Sequence, residues 1–125
     1  MSASVARWTL LAALALAIGC SSPPTPDEDD AADAVRQLFD ALVRGDCREI
    51  RSVVSGIADD AACQDYLEEW REHGTTLLAV RSVDRDARDP RAFLVHTRLR
   101  AGAHERDGVS RAVPGEDGHG WTIDP

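Results

Sequence analysis

The chain has 125 residues and a formal charge of −8, with 22 acidic residues against 14 arginines. Its length suits one domain, and its 43% apolar residues are ordinary for a globular protein. Because the acidic excess repels phosphate groups, the composition argues against nucleic-acid binding and against membrane attachment through a basic patch.

The chain begins with a segment typical of exported proteins. Residues 8–18 form an apolar run that is too short to cross a bilayer, as in the core of a signal peptide. Residues 17–20 then read Ala-Ile-Gly-Cys, which resembles the lipobox of bacterial lipoproteins, with Ala17 where leucine is usual. The resemblance implies cleavage before Cys20 and lipid attached to its sulfur. The alternative is a plain secretory signal followed by an incidental cysteine.

This interpretation divides the chain into three parts. They are a signal peptide (1–19), a lipidated Cys20 with its tether (20–29) and a domain (30–125). The tether is rich in proline and acidic residues, so we expect it to be disordered. The predicted location is the extracytoplasmic cell envelope, anchored to a membrane through lipid. Ser21 after the cysteine resembles the outer-membrane sorting signal, should the source be Gram-negative.

Three helices are predicted in the first half of the domain. Apolar residues at helical spacing indicate a helix over 31–44, which Gly45 ends. Asp46 and Glu49 form a capping-box pattern that starts a short second helix, ending near residue 54. The third helix begins at Asp59 or Asp60 and continues to residue 73.

The second half changes to the period of β-strands. Strands are predicted at 75–83, 92–100, 104–113 and 121–123, and the first two should pair as a hairpin across a polar turn at 84–90. Alternation places Phe93 and Val95 on one face of the second strand and His96 on the other. Helices followed by a meander indicate an α+β domain.

This order resembles the nuclear-transport-factor-2-like superfamily, in which a curved antiparallel sheet wraps around helices as a cone. The resemblance is carried by residues 34–46, with a Gly-Asp exit from the first helix, and by residues 116–124, a closing turn and last strand. It implies three N-terminal helices packed on a curved four-stranded antiparallel sheet. A cystatin-like or other α+β sheet is the alternative. The small bacterial lipoproteins of this fold that the chain resembles have no generally defined activity.

Two cysteines remain once Cys20 is lipidated. Cys47 and Cys63 lie on the inward faces of adjacent predicted helices, and an oxidising compartment favours a disulfide between them. The alternative is a pair of buried free thiols. The sequence contains no Cys-x-x-Cys motif, so it gives no indication of redox catalysis.

The sequence contains no recognisable catalytic motif. Its four histidines lack the spacing of metal ligands, so we expect neither a metal nor a cofactor. The resembled superfamily contains isomerases and dehydratases that work inside the cone, but no motif here carries their catalytic roles. The residues that could line such a pocket are Tyr66, Trp70, Phe39, Asp40 and His96. For the two large aromatic residues on the third helix, packing in the core is the alternative.

The function expected from the sequence is therefore a non-enzymatic binding or interaction module of the cell envelope. Its partner would be an envelope protein or a small apolar ligand. The alternatives are a small-molecule isomerase or lyase that uses the cone pocket, and a purely structural envelope component.

Overall fold

Three helices precede four strands in the part of the chain that the structure, a computed structural model, describes: residues 26–115 and 120–124. The predicted signal peptide, Cys20 and residues 116–119 lie outside it. The elements are α1 (Pro26–Arg44), α2 (Cys47–Val53), α3 (Asp60–His73), β1 (Thr75–Asp86), β2 (Asp89–Ala101), β3 (His104–Pro114) and β4 (Trp121–Asp124). The strands form one antiparallel sheet in the order β1-β2-β3-β4. The predicted α+β domain with three helices and a four-stranded antiparallel sheet is confirmed.

The first helix begins earlier than the sequence pattern predicts. α1 starts at Pro26, whereas the sequence pattern predicts a helix from residue 31 and assigns residues 26–29 to the tether. Proline suits the first position of a helix, because that position needs no hydrogen-bonded N–H. Asp27, Glu28 and Asp29 place negative charge at the positive end of the helix dipole. The acidic run therefore starts the helix, although its composition is that of a tether.

The short helices begin and end at the residues that their sequences indicate. Asp46 caps α2, accepting a hydrogen bond from the backbone N–H of Glu49 at 3.2 Å. Asp59 caps α3 in the same way. α3 ends at Gly74, whose φ of 58° lies in the left-handed region that glycine adopts without strain.

The β1–β2 hairpin is longer than predicted. Residues 84–90 were expected to form a polar turn, but β1 continues to Asp86 and β2 begins at Asp89. Asp86 is buried and accepts a hydrogen bond from the backbone N–H of Arg88 at 2.9 Å, which closes a tight turn. The buried Asp86 thus stabilises the turn between β1 and β2, a role that the composition of residues 84–90 does not indicate.

The hydrophobic core lies between the helices and one face of the sheet. Val35 and Leu42 of α1, Ile50 of α2, Leu67 of α3 and Val95 of β2 are each at most 2% exposed. Burying a side chain of this size contributes roughly 1.5–3 kcal/mol. The opposite face of the sheet is more exposed and carries cross-strand ion pairs. We call the two faces the inner and the outer face.

The two edges of the sheet are treated differently. At β4, a parallel bridge joins Val54 to Ile123, and the N–H of Ser55 donates to the carbonyl oxygen of Ile123 at 3.2 Å. At β1 the pairing with β2 shifts register at three places, which adds twist and interrupts a long, regular edge. Within the described ranges, no helix is long and apolar enough to cross a membrane.

Candidate functional site

A groove with a volume of about 510 Å³ opens between α3 and the inner face of the sheet. We call it the α3 groove. Its walls are formed by Tyr66, Glu69, Trp70 and His73 of α3, residues 54–57 between α2 and α3, Thr75 of β1 and Arg106 of β3. The volume falls in the range of small-molecule sites.

The position of α3 is fixed by a covalent link and a buried stripe. Cys47 and Cys63 form a disulfide with a Cα–Cα distance of 5.8 Å, which joins the first turn of α2 to the first half of α3. The predicted disulfide is therefore confirmed. Cys63 and Leu67 are buried and hold the inner side of α3 against the core. Tyr66 and Trp70, one turn apart, lie beside this stripe and are partly buried.

The two aromatic residues differ in their polar groups. Partial burial, with a smaller contribution from the nearby Glu69 carboxylate, raises the pKa of the Tyr66 hydroxyl above its ordinary value of 10.0. Tyr66 is therefore neutral at physiological pH and can act as a donor or an acceptor. The Nε1–H of Trp70 is buried and has no hydrogen-bond partner in the described parts of the chain. An unsatisfied buried donor of this kind costs free energy.

A single arginine reaches the groove from the sheet. Arg106 pairs with Leu99 in the register of β2 and β3. Gly108 and the buried Ala112 lie two and six residues further along β3 and so share its face, which is the inner face. Within residues 26–115 and 120–124 it has no ion-pair or hydrogen-bond partner. Neighbouring Arg98, on the outer face, contacts Asp107 at 3.1 Å.

The five residues proposed as pocket lining from the sequence do not lie together. Tyr66 and Trp70 share the α3 groove. Phe39 packs against the core from α1, and Asp40 is exposed on the same helix, 3.3 Å from Arg44. His96 lies on the outer face, as its alternation predicts, with Nε2 2.9 Å from an Asp84 carboxylate oxygen. Asp40 and His96 thus have partners of their own and do not line the groove that Tyr66 and Trp70 share.

Sequence reasoning missed the charged part of the groove. Glu69 and His73 continue the spacing of Tyr66 along α3, so a helical projection could have found them. Arg106 was harder to find because the first half of β3 has charged residues on both faces. The one sequence feature that indicates the inner face of β3 is the glycine at position 108. In the structure, a Cβ added there would lie 2.7 Å from Leu99 Cδ1 and 2.9 Å from Thr97 Oγ1. A glycine packed so closely marks the inner side of the strand.

The remaining observations bear on the class of protein. No group of three or more histidine, cysteine or acidic side chains that could hold a metal ion occurs among the described residues. No model of a known protein family matches the sequence, and no curated protein matches it. The features that bear on function are therefore the α3 groove and the N-terminal sequence.

Proposed function

We propose that the protein is a lipid-anchored lipoprotein of the bacterial cell envelope, with a domain that acts as a non-enzymatic binding module. The observation that carries the binding function is the α3 groove. It combines two aromatic walls, an unsatisfied Trp70 N–H and an unpaired Arg106. Mostly apolar walls with a few polar groups are typical of ligand sites. The anchor is supported by the lipobox-like residues that end in Cys20.

For the fold we propose the nuclear-transport-factor-2-like cone. All three helices precede the meander, and the core packs on one face of the sheet only. The register shifts in β1 favour the twist and curvature that a cone requires. In such a cone the α3 groove would be the opening between the third helix and the concave face.

The start of α1 at Pro26 shortens the proposed tether to residues 21–25. A proline-rich chain extends about 3.1 Å per residue, so these residues reach roughly 15 Å. The proposed lipid anchor therefore holds the N-terminal end of α1 close to the membrane surface.

The groove extends toward the other end of the sheet. Asp27 and Asp30 of α1 border the same cleft as Arg91 and Trp121, beside the tip of the β1–β2 hairpin. Thr75, in the groove, pairs with Ala101 at the far end of that hairpin. β1 runs from Thr75 to Asp86, so at about 3.3 Å per strand residue the two ends of the hairpin are roughly 35 Å apart. A short anchor at α1 would thus present the groove to the aqueous phase.

The anchor is tested by labelling the full chain in a bacterial host with a clickable fatty acid. We expect label on the wild type and on the Cys47→Ala/Cys63→Ala variant, with residues 1–19 absent by mass spectrometry. Cys20→Ala should lose the label. Label retained by Cys20→Ala, or absent from the wild type, would contradict the anchor.

The binding function is tested by thermal shift of the detergent-purified full chain against a panel of small amphiphiles. A ligand that binds only the folded state raises Tm by an amount that grows with the ratio of its concentration to its Kd. We expect a compound that stabilises the wild type and has little effect on Tyr66→Ala. Equal shifts in both proteins, or none with any compound, would count against the groove as a binding site.

A further inference from the structure

Arginines in this protein are generally paired with acids. On the outer face, Arg98 and Arg100 both contact Glu105, and Arg111 contacts three aspartates. Acidic residues outnumber arginines across the chain, so partners are plentiful. Arg106 nevertheless projects on the inner face of β3 without one. Because acids are in excess, an acid without a partner does not indicate a binding site. An arginine without a partner in a groove does suggest one.

The groove around Arg106 has an apolar floor and hydrogen-bond donors. Tyr66, Trp70 and Ile57 are partly buried and pack against the core, and all three line the groove. The Trp70 N–H lacks an acceptor, and the Tyr66 hydroxyl is protonated. A ligand that matches this site needs an apolar body and a negatively charged acceptor.

We propose that the α3 groove binds an amphipathic carboxylate, a small molecule with an apolar body and one carboxylate group. The carboxylate lies on the guanidinium of Arg106, and the body lies between Tyr66, Trp70 and Ile57. The inference rests on the proposed binding function and names its ligand class. Arginine suits this role because its planar group can donate two parallel hydrogen bonds to a carboxylate.

Two further groups shape this site. The buried Trp70 N–H belongs to a residue of the groove wall and has no acceptor among the described residues, so a carboxylate that reached it would satisfy this donor. Glu69 also lies on the α3 wall of the groove. Its negative charge would repel a second negative group on the ligand. The groove should therefore prefer a monocarboxylate over a dicarboxylate.

The proposal is tested by calorimetric titration of the detergent-purified full chain with four probes of one shape. They are 3-phenylpropionate, its neutral amide, phenethylamine, and phenylsuccinate as the dicarboxylate. We expect 3-phenylpropionate to bind and each of the other three to bind about tenfold more weakly or not at all. This is the discrimination expected of one charge-assisted hydrogen-bonded pair.

Matched variants locate the site. Arg106→Gln should weaken 3-phenylpropionate binding about tenfold while leaving binding of the amide unchanged. Arg48→Gln removes an exposed arginine of α2 that likewise has no partner among the described residues, so it controls for the loss of a positive charge. We expect wild-type binding in that variant.

Three results would overturn the proposal. They are equal affinity for the carboxylate and its amide, an Arg106→Gln variant that binds like the wild type, and no heat of binding up to about 10 mM, where even millimolar affinity is saturated. Tighter binding of phenethylamine at the groove would refute the carboxylate and leave the binding function intact. Absence of the fatty-acid label from the wild type would refute the proposed anchor and leave the result of this titration unaffected.

Discussion

Arg111 and Arg106 belong to the same strand but differ in their contacts. Arg111 lies 3.1 Å from Asp86, 3.4 Å from Asp89 and 3.3 Å from Asp124, so it joins all four strands at the hairpin end of the sheet. Arg106, at the groove end, has no such partner in the described chain. Arginine therefore stabilises the fold at Arg111, where three aspartates neutralise its charge. At Arg106, where no acid among the described residues is in contact, the guanidinium is available to a ligand.

The electrostatics of the hairpin end support this distinction. The Asp86 side chain is only 4% exposed. Its pKa is lowered below the ordinary value of 3.8, first by the hydrogen bond from the Arg88 N–H and then by the one from Arg111. The carboxylate is thus held in its charged form. At the groove end, by contrast, burial raises the pKa of Tyr66 and keeps that group neutral.

The largest effect should come from the disulfide, which joins α2 to α3 beside the groove. It closes a span of 16 residues, so Cys47→Ala/Cys63→Ala should cost about 3 kcal/mol and lower Tm by roughly ten degrees or more. Hydrogen exchange should show α3 losing more protection than β3. Calorimetry with and without reductant, together with hydrogen exchange, measures both effects.

A thiol count provides the control for this prediction. The wild-type chain, denatured without ever being reduced, should show no titratable thiol from Cys47 or Cys63. Two free thiols would show that the disulfide does not form, and equal loss of protection at both ends would remove the contrast between them.

The next largest effect should come from Asp86→Asn at the hairpin end. The lowered pKa means that the carboxylate stabilises the folded state above pH 3.8 and loses this contribution as the pH falls through the lower folded value. The variant should therefore melt below the wild type at pH 7, and the gap should narrow as the pH falls below 3.8. Melting curves across this range test it, with Asp84→Asn, a more exposed acid of the same strand, as control. A gap that is constant with pH would contradict the role of the charge.

Much of the fold follows from local sequence signals, while the site depends on tertiary pairing. The caps Asp46 and Asp59, the stop at Gly74 and the disulfide could be predicted because each depends on a few neighbouring residues or on helical spacing. The tight hairpin turn could not, because burial of Asp86 depends on Arg111, a partner from another strand. Composition assigns such acidic runs to loops.

The groove shows the same division. Tyr66 and Trp70 were found because they share a helical face. Arg106 was not, because the register of β3 against β2 decides which of its charged residues turns inward. His96 was placed on the correct face by alternation, yet nothing local says that this face is the outer one.

A smaller effect should come from Gly108→Ala, between the two ends. The added Cβ would lie 2.7 Å from Leu99 Cδ1 and 2.9 Å from Thr97 Oγ1, closer than such atoms normally approach. Overpacking of this kind costs about 1–3 kcal/mol. Denaturant unfolding measures the loss, and Val109→Ala is the control because that side chain is 59% exposed on the outer face. If both variants were equally stable, the assignment of the inner face of β3 would be wrong.

The smallest effect should come from Arg106→Gln, and it is the one that tests the comparison most directly. Because Arg106 has no partner in the described chain, replacing it leaves no acid uncompensated, and the free energy of unfolding should change by less than about 0.5 kcal/mol. Arg111→Gln is the matched variant on the same strand. It leaves the buried Asp86 without its guanidinium, so its Tm should fall measurably below that of Arg106→Gln at pH 7. Parallel melting curves of the two variants give the answer. Equal losses would show that Arg106 is as much a part of the folded framework as Arg111, and would leave it unavailable for a ligand.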